Sequence, residues 1–242
     1  MRMIVKYKII YEQLKQAILD GTYPEGHLIP GEYQLMRQMD VSRDTIRKAM
    51  ALLTSSGYIQ KIRGKGSMVI AHNNEVPLTN LISFKELGHQ QGFKPKTKIV
   101  EFKDLIITDK LAKETGFAVD TEVWSISRLR FIDGVPSIID LDLIRKDLAP
   151  DMTKQAIHES LYEYLEGELG LTLAYSENDL TAPLISTKER ETLELDATEN
   201  RIIQIESRVY LNKSEQLQYS IAKHRPDKFA YHEFIRRNNH GL

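Results

Sequence analysis

SRDTIRKAMALLTSSGYIQKIRGKG, residues 42–66, reads as a capped helix with a basic outer face, then a β-hairpin with a basic, glycine-rich tip. The Ser42 hydroxyl can accept from a free backbone N–H of a first helical turn, which marks a helix start. Ile46, Ala49, Met50 and Leu53 follow at i, i+3, i+4 and i+7, one apolar stripe for a core. Arg43 and Arg47 stand one turn apart on another face, with Lys48 beside them. Gly57 ends the helix, Tyr58–Ile62 is strand-like, and Arg63-Gly-Lys-Gly66 turns the chain into Ser67–Ile70. A rigid helix that presents guanidinium groups suits the DNA major groove, and a glycine tip lets backbone and Lys65 come close to phosphates.

The preceding residues fit the same unit. Tyr7–Asp20 carries Ile10, Leu14, Ala17 and Ile18 at helical spacing and stops at Gly21. Pro30-Gly-Glu32 opens a second short helix with Leu35, Met36 and Met39 on its inner face, and Asp40-Val41 is the turn into Ser42. Three helices and a hairpin make a winged helix-turn-helix. A small helical domain with a solvated charged face is the alternative, but a helix, a turn, a capped helix and a basic wing in series argue against it.

Whole-chain charge sharpens this division. The 242 residues carry a net charge of −1, yet residues 1–72 hold 11 Lys+Arg against 6 Asp+Glu, and the remainder 22 against 28. A basic head on an acidic body implies that only the head meets phosphate. The chain has no cysteine, which excludes disulfides and thiolate metal sites and suits a reducing cytoplasm. No apolar run reaches the length of a membrane span, and the N-terminus has no signal-peptide pattern. No repeats or low-complexity tracts occur.

Three regions are expected: a winged helix-turn-helix over 1–71, a linker over 72–81 around the polar, proline-containing His72–Pro77, and a second domain over 82–242. In the second domain, Thr97–Ile107, Glu122–Phe131, Ser137–Ile144, Leu171–Ala182, Ile202–Leu211 and Gln216–Lys223 read as strands. Ile132-Asp-Gly-Val-Pro136 is a hairpin turn signal. Thr153–Leu169 reads as an amphipathic helix ended by Gly170, and Thr187–Leu195 as a short one. Hairpins outnumber crossovers, so the fold class is α+β, with an antiparallel sheet and helices packed against it.

Alternation places Arg128 and Arg130 on one strand face, one repeat of about 7 Å apart, where two guanidinium forks can grip a phosphate or carboxylate. Asp140 and Asp142 share a face of the partner strand, and Gln218, Ser220 and His224 share another. Ser160 and Tyr162 can add hydroxyls. A solvated cross-strand ion network of the arginines with the aspartates explains the same pattern, and alternation alone favours it.

Residues 30–66, with PGE, VSRDTIRKAM and GYIQKIRGKGS, closely resemble the DNA-binding head of the GntR family of bacterial transcription regulators. The remainder resembles the effector-binding UTRA domain of the HutC subfamily, which has a chorismate-lyase-like fold. Its marks are Ile82-Ser-Phe84 with Gly92, Ser127-Arg-Leu-Arg130 before Asp133-Gly134, Glu159-Ser-Leu-Tyr162 and Leu217-Gln-Tyr219. The resemblance implies DNA contacts from Ser42, Arg43, Thr45 and Arg47, with the two arginines reading bases, and from Lys61, Arg63, Gly64 and Lys65 of the wing. Tyr33 is expected among the DNA-binding residues too, although it stands where the family often has a basic contact residue, and Gly31 stands where the family often has a serine that caps the helix. Arg128, Arg130, Ser83, Phe84 (by its backbone), Ser160 and Tyr162 are implied as a phosphate cradle, and Asp140, Gln218 and His224 as partners of sugar hydroxyls.

What the resemblance implies overall is a bacterial, cytoplasmic repressor of a sugar-utilisation operon. It would be a homodimer through its C-terminal domain, bind a palindromic operator and need no cofactor or metal. FIDG (131–134) and HRPDKF (224–229) favour trehalose 6-phosphate as effector over another phosphosugar such as an amino-sugar 6-phosphate. The lyase-like fold raises the alternative of an enzyme acting on a small anion. Against it, His27, His72, His89, His158, His224, His232 and His240 show no metal-ligand spacing, and no nucleophile–base motif is recognisable.

Overall fold

The computed structural model describes residues 6–70, 81–158, 160–212 and 214–231, which form two compact units, 6–70 and 81–231. The linker expected over 72–81 lies, apart from Leu81, outside the described residues, as do 232–242.

In the first unit, α1 (Lys6–Leu19), α2 (Glu32–Met39) and α3 (Arg43–Ser55) precede the hairpin β1 (Ile59–Ile62) and β2 (Gly66–Val69). The apolar stripes meet as expected: Ile10, Leu14 and Ile18 of α1 join Leu35 of α2 and Ile46, Ala49 and Leu53 of α3, closed by Tyr58, Ile59 and Val69. Removing one such fully buried leucine side chain costs about 2–5 kcal/mol. Ser42 caps α3 by accepting from the Thr45 N–H at 3.3 Å. Gly31 brings no hydroxyl to α2, and half a capping box remains, its N–H donating to Gln34 Oε1 at 3.1 Å. The wing has a further piece: Leu28 bridges Met68, and Ile29 N–H donates to Ser67 O at 2.9 Å.

The second unit is an antiparallel sheet in the order β3-β4-β5-β8-β7-β6. Its strands are β3 (Pro95–Ile106), β4 (Glu122–Ile132), β5 (Val135–Arg145), β6 (Leu173–Thr181), β7 (Ile203–Leu211) and β8 (Glu215–His224). Two three-stranded meanders thus join edge to edge through β5 and β8. Asp133 (φ 51°) and Gly134 (φ 85°) turn β4 into β5, both left-handed as a tight hairpin turn requires. Short helices α4 (Phe84–Gln91), α5 (Asp109–Thr115) and α6 (Thr187–Thr192) complete it. On one sheet face Ile126 and Ile144 pack with Ala149, Met152, Ile157, Leu161, Tyr164 and Leu165. On the other, Val123, Leu143 and Tyr219 pack with Ile107 and Phe117.

One expectation needs correction. Residues 153–169 do not form a continuous helix. Thr153 Oγ1 accepts from Ala156 N–H at 3.2 Å and closes a separate turn. Ser160 Oγ then accepts from Glu163 N–H at 3.2 Å, and Glu163–Glu168 is wound as a π-helix, in which Leu169 N–H reaches Tyr164 O at 3.1 Å. Hydroxyls that bind nearby backbone offer the chain a local alternative to helix. Single π turns often mark functional sites.

Candidate ligand cavity and nucleic-acid interface

The sheet's even-numbered face in β4, β5 and β8 floors a cavity of about 450 Å³. Register explains what meets there: Arg128 pairs with Asp140, Asp140 with Ala222, and Asp142 with Ser220. Three other segments wall it: Ile82–Lys85 at the start of α4, Pro95–Thr97 of β3, and Ile157, His158 and Ser160–Tyr162.

The floor is a buried ion cluster. Arg128, Asp140, Asp142 and Gln218 are 5%, 5%, 3% and 2% exposed. Arg128 Nη2 donates to Asp142 Oδ2 at 2.6 Å and lies 3.6 Å from Asp140 Oδ2. Arg130 Nε donates to Asp140 Oδ2. Gln218 Nε2 donates to Asp142 Oδ1 at 2.7 Å. The arginines do pair with the aspartates across the strands, as the ion-network alternative holds; the solvated surface that it assumes is what the structure overturns. Burial alone lowers the pKa of Arg128, but Asp142 and Asp140 outweigh it and hold the guanidinium charged. Burial, with Asp140 alongside, raises Asp142 despite Arg128. Burial, with Asp142 nearby, also raises the Tyr162 phenol, which stays protonated.

Two polar atoms in this floor have no partner among the described residues: Arg128 Nε, a donor, and Gln218 Oε1, an acceptor. Leaving such groups buried and unmatched is costly. The two arginine charges are offset by two carboxylates; of the two lysines in the lining, Lys85 pairs with Glu163 at 3.3 Å, and Lys96 lies 5.9 Å from the Phe131 ring centroid.

Ser83 is the N-cap of α4. Its Oγ accepts from Glu86 N–H at 3.1 Å, and its own N–H is taken by Glu86 Oε2 at 2.7 Å. The Phe84 ring, rather than its backbone alone, matters: Arg130 Cζ lies 4.9 Å from its centroid, and Phe93 backs it at 5.4 Å. His224 does not line the cavity; on the same strand but past Ala222, its ring packs on Phe229 at 5.1 Å. Burial lowers its pKa to about 4, so it is neutral. Sequence reasoning missed Lys85, Lys96, Thr97 and His158 in the lining. Thr97 sits directly opposite Arg130 in the β3–β4 register, so strand pairing held that signal.

On the first unit, Arg43, Arg47 and Lys48 are exposed on α3, and Lys61, Arg63, Gly64 and Lys65 on the wing. Gly64 at φ 75° and Gly66 at φ 126° make the tight tip. Ser42 and Thr45 stand at the start of α3, their hydroxyls 2.8 Å apart. Arg47 Nη2 and Lys48 Nζ both reach Asp44, at 3.1 and 2.8 Å, while Arg43 reaches α2.

A module that presents cations to duplex DNA and a sheet with a buried, ion-lined cavity define a one-chain transcription regulator. Residues 6–69 match the model of the bacterial regulatory proteins of the gntR family, and residues 90–230 match the UTRA domain. The chain belongs to the gntR family, as a HutC-type regulator with a UTRA domain. It is 35% identical over 233 residues to the HTH-type transcriptional regulator TreR of Bacillus subtilis, covering 96% of this chain and 98% of that one. Its fold matches the transcriptional regulator YydK of Bacillus subtilis with a TM-score of 0.82 at 24% identity, over 96% of this chain and all of the other. The effector-binding domain of the Bacillus subtilis trehalose repressor matches at TM-score 0.53 and 31% identity, over 59% of this chain and 99% of that one. The relatives are regulators, and so is this chain; the enzyme alternative is set aside. Among the described residues, no helix is long and apolar enough to cross a membrane, and no cluster of His, Cys, Asp or Glu could hold a metal.

Proposed function

We propose that this protein represses a trehalose-utilisation operon and leaves its operator when trehalose 6-phosphate enters the cavity. The observation that carries this reading is a pair of unmatched atoms in the floor of the cavity, a cationic donor at Arg128 Nε and a neutral acceptor at Gln218 Oε1, both on side chains that Asp142 holds. A ligand oxygen that meets Arg128 Nε must accept and a group that meets Gln218 Oε1 must donate; a sugar hydroxyl can do either, and a phosphate oxygen suits the guanidinium. The effector's phosphate meets the α4 N-terminus, Arg128, Arg130, Ser160 and Tyr162, while its hydroxyls meet Asp140 and Gln218. A 450 Å³ cavity lies within the ordinary range for small-molecule sites, about 300–1,000 Å³. Likeness to TreR along almost the whole chain favours trehalose over other sugars.

In this reading the protein is a homodimer, joined through the sheet domains, and its two heads read a palindrome whose half-site spacing matches the dimer. Effector binding changes how the heads are presented, through the segment near 71–81. The coupling is reciprocal: operator weakens effector by the factor by which effector weakens operator.

Thermal denaturation with a panel of trehalose 6-phosphate, glucose 6-phosphate, glucosamine 6-phosphate, trehalose and inorganic phosphate tests the effector. A ligand at 100 times its Kd stabilises the native state by about 2.7 kcal/mol. Trehalose 6-phosphate should raise the midpoint in the wild type and not in Arg130→Ala. A shift from a different phosphosugar alone would replace the effector and leave the regulator intact.

A further inference from the structure

Arg43, the first residue of α3, is held from two sides by α2. Its Nε donates to Glu32 Oε2 at 3.2 Å, and its guanidinium carbon lies 5.0 Å from the Tyr33 ring centroid. Arg47 is held differently, by Asp44 of its own helix. Both partners of Arg43 precede it by about ten residues, and both come from the helix that packs on α3.

This arrangement has a directional consequence. Reading guanine with arginine uses the two terminal nitrogens as a fork toward O6 and N7. With Nε occupied by Glu32 and one face covered by Tyr33, the plane of the guanidinium is set and the Nη1/Nη2 edge is left for DNA. Both side chains remain outward: the Arg43 side chain is 59% exposed and Tyr33 is 58% exposed. An unsupported arginine on a helix end would lose rotamer freedom on binding, and a platform removes part of that loss beforehand.

We infer that Tyr33 is a positioning residue for base readout by Arg43, acting through its ring rather than touching DNA itself. The inference rests on the reading of Arg43 as a base reader. It goes beyond the resemblance, which places a DNA-contacting basic side chain at this position.

A duplex selected by the full-length protein from a randomised pool supplies the operator. Binding of wild type, Tyr33→Phe, Tyr33→Ala, Arg43→Ala and the Tyr33→Ala/Arg43→Ala double variant is then measured on that duplex. The same set is measured on single-base-pair variants of it and on an unrelated duplex, over a range of salt. Tyr33→Phe should match wild type. Tyr33→Ala should lose roughly fivefold on the operator, lose little on the unrelated duplex, and relax preference at the same base pair as Arg43→Ala. The double variant should lose no more than Arg43→Ala alone. Equal losses on both duplexes with a shallower salt slope would make Tyr33 a backbone contact. A loss in Tyr33→Phe would make its hydroxyl the contact. Additive losses, or none, would also overturn the inference. If Arg43→Ala leaves base preference unchanged, the underlying reading of Arg43 fails instead, and that result is separately visible.

Discussion

Asp142 Oδ2 accepts from Arg128 Nη2 at 2.6 Å on the cavity floor, and the other oxygen of the same carboxylate accepts from Gln218 Nε2 at 2.7 Å. One buried carboxylate therefore orients both side chains that carry an unmatched polar atom. Replacing Asp142 with Ala removes the short partner of Arg128 and leaves it only the 3.6 Å contact to Asp140, which already accepts from Arg130. Breaking a buried pair by removing one partner costs about 3–5 kcal/mol. Urea unfolding of Asp142→Ala should show that loss with an unchanged m-value, and a change near zero would contradict the assigned role.

Asp140 competes with the proposed phosphate for Arg130, since the carboxylate already accepts from its Nε. Asp140→Asn removes the competing charge and weakens the grip on sugar hydroxyls. Calorimetry should find inorganic phosphate bound more tightly by Asp140→Asn than by wild type, with discrimination between phosphosugars reduced. Weaker phosphate binding would show that Asp140 does not compete.

His224 gives the stability a pH dependence. Burial lowers its pKa from 6.5 to about 4, opposed by Asp140 and assisted by Arg130. The unfolded chain takes up this proton as pH falls through 6.5, whereas the folded chain resists until about 4. Folded stability is therefore full above 6.5 and declines between 6.5 and 4 as the pH drops. At 1.36 kcal/mol per unit, the loss reaches at most about 3 kcal/mol. Denaturant midpoints of wild type and His224→Gln should converge on acidification; parallel curves would place the sensitivity elsewhere.

Asp44 restrains two cations of α3, Arg47 at 3.1 Å and Lys48 at 2.8 Å, and their neighbourhood holds its own pKa low, Lys48 first. It also repels phosphate. Asp44→Asn should bind an unrelated duplex several-fold more tightly at low salt, and the gain should vanish as salt screens it. An unchanged affinity would mean that these cations do not face the duplex.

Much of this was legible from residue pattern. Strand alternation put Arg128, Arg130, Asp140 and Asp142 on their faces, and Asp133-Gly134 marked the turn that sets their register. Alternation cannot report burial, because that depends on residues 157–162 and α4 arriving over the same face. The break at Ser160 was hidden for a related reason: Thr153 and Ser160 cap turns without disturbing the apolar spacing of Ile157, Leu161 and Leu165. Helix α4 could have been found from Ser83 and Glu86, whose reciprocal bonds follow the capping-box spacing. His224 kept the right parity but lies past the cavity, where Phe229 of the following turn covers it.

Operator affinity measured with and without trehalose 6-phosphate, for wild type and Arg130→Ala, tests the central claim most directly. The account predicts that the ligand weakens operator binding by wild type, that Arg130→Ala still binds DNA but ignores the ligand, and that saturating operator weakens ligand binding by the same factor. Operator binding by wild type that no phosphosugar alters, or an Arg130→Ala protein that responds like wild type, would contradict it.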